Sequence, residues 1–196
     1  MATNAIKNDR KYTYADYLIW PENERWEVIG GTAYAMAPPS ADHQRIVRNT
    51  TVAFALYLQG KPCEVFMAPF GVIFDRQLET DEITTVVEPD VTVICDRSKI
   101  TSKGCHGCPD LIVEVLSRST ASHDVIRKRR LYEQQGVLEY WIADPSNQII
   151  TRYSFDQELE KYKEAEYFAR EDIIIPDIFP DLAINLAEIF PDTEEE

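Results

Sequence analysis

No apolar run in the chain approaches the roughly 20 residues needed to span a bilayer, and the opening residues show no basic, apolar, small-residue succession of an export signal. No membrane partner and a cytoplasmic location are therefore expected. Basic residues are scarce, with 20 Lys and Arg against 34 Asp and Glu and a formal net charge of −14. That balance argues against a protein that coats nucleic acid, because phosphate contacts need cations in number. The deficit is uneven: Arg118, Arg127, Lys128, Arg129 and Arg130 face only Asp124 within the segment 117–130, whereas 192–196 is an acidic run. A local basic surface is the consequence. Also missing are a nucleophile elbow, a phosphate-cradling glycine loop and paired histidine ligands, which leaves serine hydrolase, nucleotide kinase and zinc protease readings unsupported. Cysteine is sparse, at four residues. Cys63 and Cys95 lie in apolar runs, where a free thiol acts as a small hydrophobe. Cys105, His106 and Cys108 have the gap of a zinc knuckle but no second pair, so incidental loop thiols are favoured over a metal or redox site.

What is present suits one domain with a real core: 196 residues, 44% of them hydrophobic. Residues 1–12 read as a flexible leader, 13–190 as a single domain and 191–196 as an acidic tail. Thr13 can cap a short helix. Trp26 to Ile29, Gly30-Gly31 and Ala33 to Met36 predict a hairpin, since paired glycines supply the positive φ of a tight turn. Ser40 or Asp42 caps a long helix reaching Gly60. Strands are expected at Cys63 to Phe66, Gly71 to Phe74 and Val86 to Cys95, the last interrupted by Glu88-Pro89-Asp90, with regular pairing resuming at Asp90. A polar loop over Asp96 to Cys108 leads to a strand at Leu111 to Leu116. A helix from about Ser122 stops near Gly136, and strands follow at Val137 to Ala143 and Gln148 to Phe155. A meander through Tyr162 to Phe168 and Asp172 to Ile175 precedes a short helix within Leu182 to Phe190. The order predicts a mixed α/β (α+β) fold: helices packed on a central mixed sheet, with an added N-terminal hairpin.

Two carboxylates, Asp90 and Glu114, fall in apolar strand-like runs, and a buried carboxylate needs a cation or hydrogen bonds to offset its desolvation. Mg²⁺ or Mn²⁺ prefers hard oxygen ligands and keeps several waters, so Asp90, Glu114 and the Val115 backbone carbonyl form a candidate ligand set. Alternation places Glu114 on the face shared by Ile112 and Leu116. Asp124, Lys128 and Tyr132 recur every four residues along one helix face. Lys128 either orients a water and neutralises developing charge or forms an exposed ion pair with Asp124 worth a few tenths of a kcal/mol. His43 is a proton carrier or phosphate contact if it faces the same cleft, and otherwise a surface or capping residue. Glu27 is a further acid of the metal shell, or it pairs with a nearby arginine. Asp110 and Glu139 are alternative ligands, although Asp110 reads better as a turn residue and Glu139 as structural.

The chain resembles a family of restriction endonucleases often called Uma-two, within the PD-(D/E)XK nuclease superfamily. The resemblance rests on ordered pieces: Trp26 to Gly31, Met36 to Ser40 with His43-Gln44, Glu88-Pro89-Asp90-Val91, and Pro109 to Ser117. It continues through Ser119-Thr120, Asp124, Lys128, Tyr132, Gly136-Val137, Glu139-Tyr140-Trp141 and Asp144-Pro145, covering about residues 13–190. It implies a restriction-endonuclease-like core with Asp90 as first acid and Glu114 as second. The superfamily's lysine two residues after the second acid is Leu116 here, and this family supplies a lysine from the following helix, a position matched by Lys128. The expected activity is Mg²⁺-dependent endonucleolytic hydrolysis of DNA, with Asp90, Glu114 and Lys128 catalytic and a homodimer presenting two clefts. The alternative is a degenerate nuclease fold that binds nucleic acid or a protein. A lesser reading makes dimerisation through exposed strands near Tyr140, Trp141 and Tyr153 the main role.

Overall fold

The computed structural model describes residues 10–21, 24–74, 79–117 and 123–191. Most of the expected leader and nearly all of the acidic tail lie outside that range. Tyr12 lies inside it, and its backbone N–H donates to Gly31 O at 2.8 Å, so the leader's last residues are held against the fold.

Local chemistry explains the first elements. The Thr13 side chain accepts from Asp16 N while the Asp16 carboxylate accepts from Thr13 N, a reciprocal cap that starts α1 (Tyr14–Tyr17). Strands β1 (Trp26–Ile29) and β2 (Thr32–Ala35) pair antiparallel. Their turn is made by Gly30 and Gly31 at φ 58° and 80°, a region that L side chains avoid. Ser40 accepts from His43 N at 3.2 Å and caps α2 (Ala41–Leu58). There follow β3 (Glu64–Met67), β4 (Val72–Ile73), β5 (Val86–Val87), β6 (Val91–Ile94), β7 (Ile100–Thr101), β8 (Gly104–His106) and β9 (Leu111–Val115). A π-helix (His123–Lys128) runs directly into α3 (Arg129–Gln135), which ends at Gly136 in the left-handed conformation, φ 74°. The chain then forms β10 (Glu139–Asp144), β11 (Ile149–Asp156), β12 (Lys161–Tyr162), β13 (Glu166–Ala169), β14 (Ile173–Ile174), β15 (Ile184–Asn185) and α4 (Leu186–Ile189).

These elements make a mixed α+β fold, but the central sheet is joined by a second one. The larger sheet has the order β12-β11-β10-β9-β6-β3, with β13 also pairing β11. The other has the order β2-β1-β5-β4-β8-β7, so the N-terminal hairpin is part of a six-stranded sheet. The run expected as one strand over Val86 to Cys95 is two: β5 belongs to the second sheet and β6 to the first. Glu88-Pro89-Asp90 is the crossing between them, because Pro89 has no N–H for a ladder, and pairing resumes at Val91 opposite Met67 and Val113. The expected loop over Asp96 to Cys108 is likewise structured, with β7 and β8 forming a hairpin whose β8 pairs parallel with β4.

Strand alternation divides the core. Leu111, Val113, Val115, Trp141 and Ala143 pack against Ile46, Val47 and Phe54 of α2 and Leu186 of α4. Ile112, Tyr140 and Ile142 face the other way, onto Leu131 and Tyr132 of α3 and Val72 and Val87 of the second sheet. Tyr140 and Trp141 are therefore core residues, 0% and 1% exposed, and the reading of them as an exposed dimerisation surface is corrected.

Cys63 and Cys95, expected as free thiols, form a disulfide. The register that sets Glu64 opposite Ile94 carries them face to face at the end of the β3–β6 ladder, which their local apolar character does not reveal. They are 32 residues apart, and closing a loop of that size restricts the unfolded chain by about 4 kcal/mol. Chemical denaturation with and without reductant is expected to show a loss of that order, and a Cys63→Ser/Cys95→Ser variant should be insensitive to reductant. Cys105 and Cys108 are not disulfide-bonded. The Cys108 thiol is pushed up to about 12, mainly by burial, so it is no ready thiolate.

Candidate active site

Glu114 is the fourth residue of β9 and points with Ile112 toward α3, as alternation requires. A carboxylate there meets two donors: Lys128 Nζ at 2.9 Å and Tyr132 OH at 2.7 Å, both on Glu114 Oε1. Lys128 Nζ also lies 2.8 Å from Glu27 Oε1, contributed by β1 of the second sheet. Glu27 Oε1 in turn accepts the Glu88 N–H at 3.0 Å. The ammonium thus joins the two sheets through a carboxylate from each. Lys128, Glu114 and Glu27 are 3%, 3% and 4% exposed, so the exposed ion pair that spacing alone allowed is excluded. Lys128 ends the π-helix and, three and four residues before the buried Leu131 and Tyr132, lies on the face that α3 turns to the core; π-turns recur at functional sites. Tyr132 keeps its proton, since burial and then the Glu114 carboxylate hold its pKa well above the ordinary value.

Asp90 sits in the crossing, one residue before β6. Its Oδ2 accepts the Val115 N–H at 2.8 Å and lies 3.2 Å from His43 Nε2. The Ser40 cap places His43 in the first turn of α2, directed at the acid. His43 Nδ1 is buried with no hydrogen-bond partner among the described residues. Asp90, Glu114, Val115, Glu27, His43 and Lys128 all line one cleft. Its cavity of about 80 Å³ has room for several waters, each of which needs about 10–15 Å³ on the same measure.

Five of the seven expected site side chains therefore converge on the cleft. Tyr132 supports it from behind through Glu114, and the Asp124 side chain lies outside the described residues. The alternative ligands do not converge. Asp110 Oδ2 accepts the Cys95 N–H at 2.7 Å, a turn role, and Glu139 shares the face of Trp141, opposite that of Glu114.

Several residues at the site were not legible in the sequence. Arg25 lines the cleft and makes a forked pair with Glu88 Oε2 at 3.0 and 2.7 Å, while Tyr17 OH donates to Glu88 Oε1 at 2.8 Å. Of the two readings of Glu27, pairing with a nearby arginine does not hold: Arg25 goes to Glu88, and Glu27 takes the lysine within the cleft. Arg127, exposed beside the cleft, donates to the hydroxyl of the cleft residue Tyr34 and stacks 5.1 Å from its ring. No local motif marks these contacts, because their partners are 63 to 93 positions away in sequence.

Asp90 and Glu114 are the cleft residues that could hold a hard divalent cation. Two carboxylates and the peptide of Val115 share the cleft, and among the described residues no group of three or more His, Cys, Asp or Glu gathers into a cage. Mg²⁺ is held in that manner, by one or two carboxylates and retained water. The Cys105, His106 and Cys108 segment is not part of any such group.

Glu139 supplies a pH prediction apart from the site. It is 0% exposed, and its pKa is pushed up to about 7 by burial, against hydrogen bonds from Trp141 Nε1 and Ile178 N. The raised value means that the native chain holds a proton that the unfolded chain releases near pH 4.3. Below that pH both states are protonated and there is no cost. Between about 4.3 and 7 stability falls as pH rises, by about 4 kcal/mol in total. Denaturant midpoints measured across this interval are expected to show that slope in the native chain and to lose it in Glu139→Gln.

Comparison with known proteins agrees with the geometry. The model of a family called Uma2 and described as "Putative restriction endonuclease" matches residues 14–187. The uncharacterized protein slr1290 of Synechocystis sp. is 30% identical over 141 residues, 71% of each chain. A second protein of that organism, sll1609, is 32% identical over 137 residues, 67% of this chain and 74% of its own. The fold matches a crystal structure from Anabaena variabilis, described as "a putative nuclease belonging to DUF820", with a TM-score of 0.73 at 19% identity. That likeness covers 91% of this chain and 97% of the other.

Proposed function

Since the chain belongs to the Uma2 family of restriction-endonuclease-like proteins, we propose that it is a divalent-metal-dependent endonuclease that hydrolyses DNA phosphodiester bonds in the cleft of Asp90 and Glu114. The observation that carries the proposal is the delivery of Lys128 to within 2.8–2.9 Å of Glu27 and Glu114, in the cleft that also contains Asp90. A lysine absent from its usual strand position is thereby restored in space.

Asp90, Glu114 and the Val115 carbonyl would hold Mg²⁺ or Mn²⁺, which when bound supplies a more acidic water and neutralises charge on a phosphoryl oxygen. The remaining tasks fall to the chain itself. Lys128, fixed by two carboxylates, presents positive charge where negative charge develops and needs no reorganisation during reaction. Tyr132 donates to Glu114 and holds its orientation. His43, with Nε2 toward Asp90 and Nδ1 without a partner, can accept and pass on a proton. Arg127 at the rim and exposed Arg130 supply phosphate contacts that an otherwise acidic surface lacks. Cutting both strands of a duplex calls for two clefts, so a homodimer belongs to the same proposal.

The test is cleavage of supercoiled plasmid with Mg²⁺ or Mn²⁺ by the native chain, Glu114→Ala and Lys128→Ala. Metal-dependent cleavage lost in both variants is the expected result, and cleavage unchanged in both overturns the site. One observation favours a second reading, a metal-independent binding module: Glu114 Oε1 is already engaged by Lys128 and Tyr132. Calorimetry separates the two. Mg²⁺ binding that Asp90→Ala abolishes supports the enzyme, whereas salt-sensitive DNA binding indifferent to metal supports the module.

A further inference from the structure

A second pocket lies outside the cleft, on the N-terminal side of β1, and is lined by Tyr12, Trp20, Pro21, Glu24 and Trp26. Trp20 is its shared wall: Tyr12 meets it at 70° with centroids 5.5 Å apart, and Trp26 at 57° and 5.6 Å. Tyr17 backs Trp20 from the helix side at 5.8 Å. The Trp26 indole N–H donates to Glu24 Oε2 at 3.0 Å, which holds a carboxylate against the rings. The enclosed space is about 120 Å³.

The three half-buried aromatic rings around the opening are not among the buried residues of the core clusters. We propose that this pocket is an aromatic cage that binds a quaternary ammonium head group. Ring faces attract cations through their quadrupoles, and a cation whose charge is spread over methyl groups is desolvated cheaply enough to profit from several rings together. The inclination of the walls matters. A nucleobase held between two rings needs parallel faces, whereas walls at 57° and 70° form a corner that suits a tetrahedral group. Charge points the same way. Glu24 at the rim and a net charge of −14 favour a cation and oppose the phosphates that accompany a base. The Arg10 guanidinium, paired with Asp16, lies 5.4 Å from the Tyr12 ring centroid, so Tyr12 is already engaged by a cation and the site rests on Trp20, Trp26 and Glu24. None of this depends on the nuclease reading.

Two of the chain's three tryptophans form the cage and the third, Trp141, is 1% exposed, so intrinsic fluorescence reports directly on occupancy. The experiment titrates the full-length protein with choline chloride at constant ionic strength. Parallel titrations use 3,3-dimethylbutan-1-ol, the neutral isostere, and thymidine 5′-monophosphate. Choline is expected to quench saturably in the millimolar range or below and to bind at least about 10-fold more tightly than the isostere. Glu24→Gln, an exposed change that leaves the rings in place, should weaken choline by about 3- to 10-fold. Trp20→Leu, checked for folding by circular dichroism, should abolish the response. Equal binding of choline and its isostere, no saturable response, or tighter binding of the nucleotide would each overturn the cage. Loss of plasmid cleavage in Glu114→Ala with choline binding intact separates this site from the cleft.

Discussion

Lys128→Ala is expected to lower the unfolding free energy by about 3–5 kcal/mol, the cost of leaving a buried ion pair with one partner removed. The reason is geometric. The ammonium is the shared cation of Glu27 and Glu114, both nearly inaccessible to water. Without it two carboxylates from different sheets face each other across the space the ammonium filled. Glu27 keeps the Glu88 N–H and Glu114 keeps the Tyr132 hydroxyl, so the loss is large but not the whole desolvation cost. Thermal unfolding should show a midpoint about 10 °C lower, given roughly 2–4 °C per kcal/mol for a domain of this size. Neutralising an acid as well, in Lys128→Met/Glu114→Gln, should recover part of the loss, the non-additivity of residues in one network. A loss below about 1 kcal/mol in the single variant would mean that Lys128 is a solvated surface residue.

The second large effect separates chemistry from folding. Asp90→Asn preserves shape and an acceptor for the Val115 N–H, which now donates at 2.8 Å, so stability should change by no more than about 1 kcal/mol. Its negative charge is lost, and with it the attraction for a divalent cation. Metal-dependent cleavage by the folded variant is expected to fall at least about 10³-fold, about 4 kcal/mol in the barrier. Single-turnover assays at saturating Mn²⁺ check this. Activity within 10-fold of the native chain would remove Asp90 from the ligand set. Together the two variants assign different work to the two ends of the cleft, with Lys128 felt in both stability and activity and Asp90 in activity alone.

Much of this was legible from the amino acids. Thr13, Ser40 and Gly136 mark helix ends because capping is settled within a few residues, and Gly30-Gly31 marks its turn because few other residues tolerate positive φ there. Alternation along Leu111 to Leu116 correctly set Glu114 on the face of Ile112, opposite Val113 and Val115. The ordered motifs around Asp90, Glu114 and Lys128 pointed to the family that the comparisons show. The failures share a cause. Val86 to Cys95 looks like one apolar strand, yet its halves join different sheets, and which sheet a strand joins depends on partners remote in sequence. Cys63 and Cys95 look like core thiols until the β3–β6 register sets them opposite each other.

What the chain determined alone is therefore local: caps, turns, alternating faces and the kinds of side chain available for chemistry. What only the tertiary structure decided is which of those side chains share a space. Lys128 shows the division most sharply. In sequence it is one of four consecutive basic residues, Arg127 to Arg130, and four-residue spacing pairs it with Asp124 on a solvated face. In the fold it lies between carboxylates from two sheets, because burying Glu27 and Glu114 there is tolerable only with a cation between them.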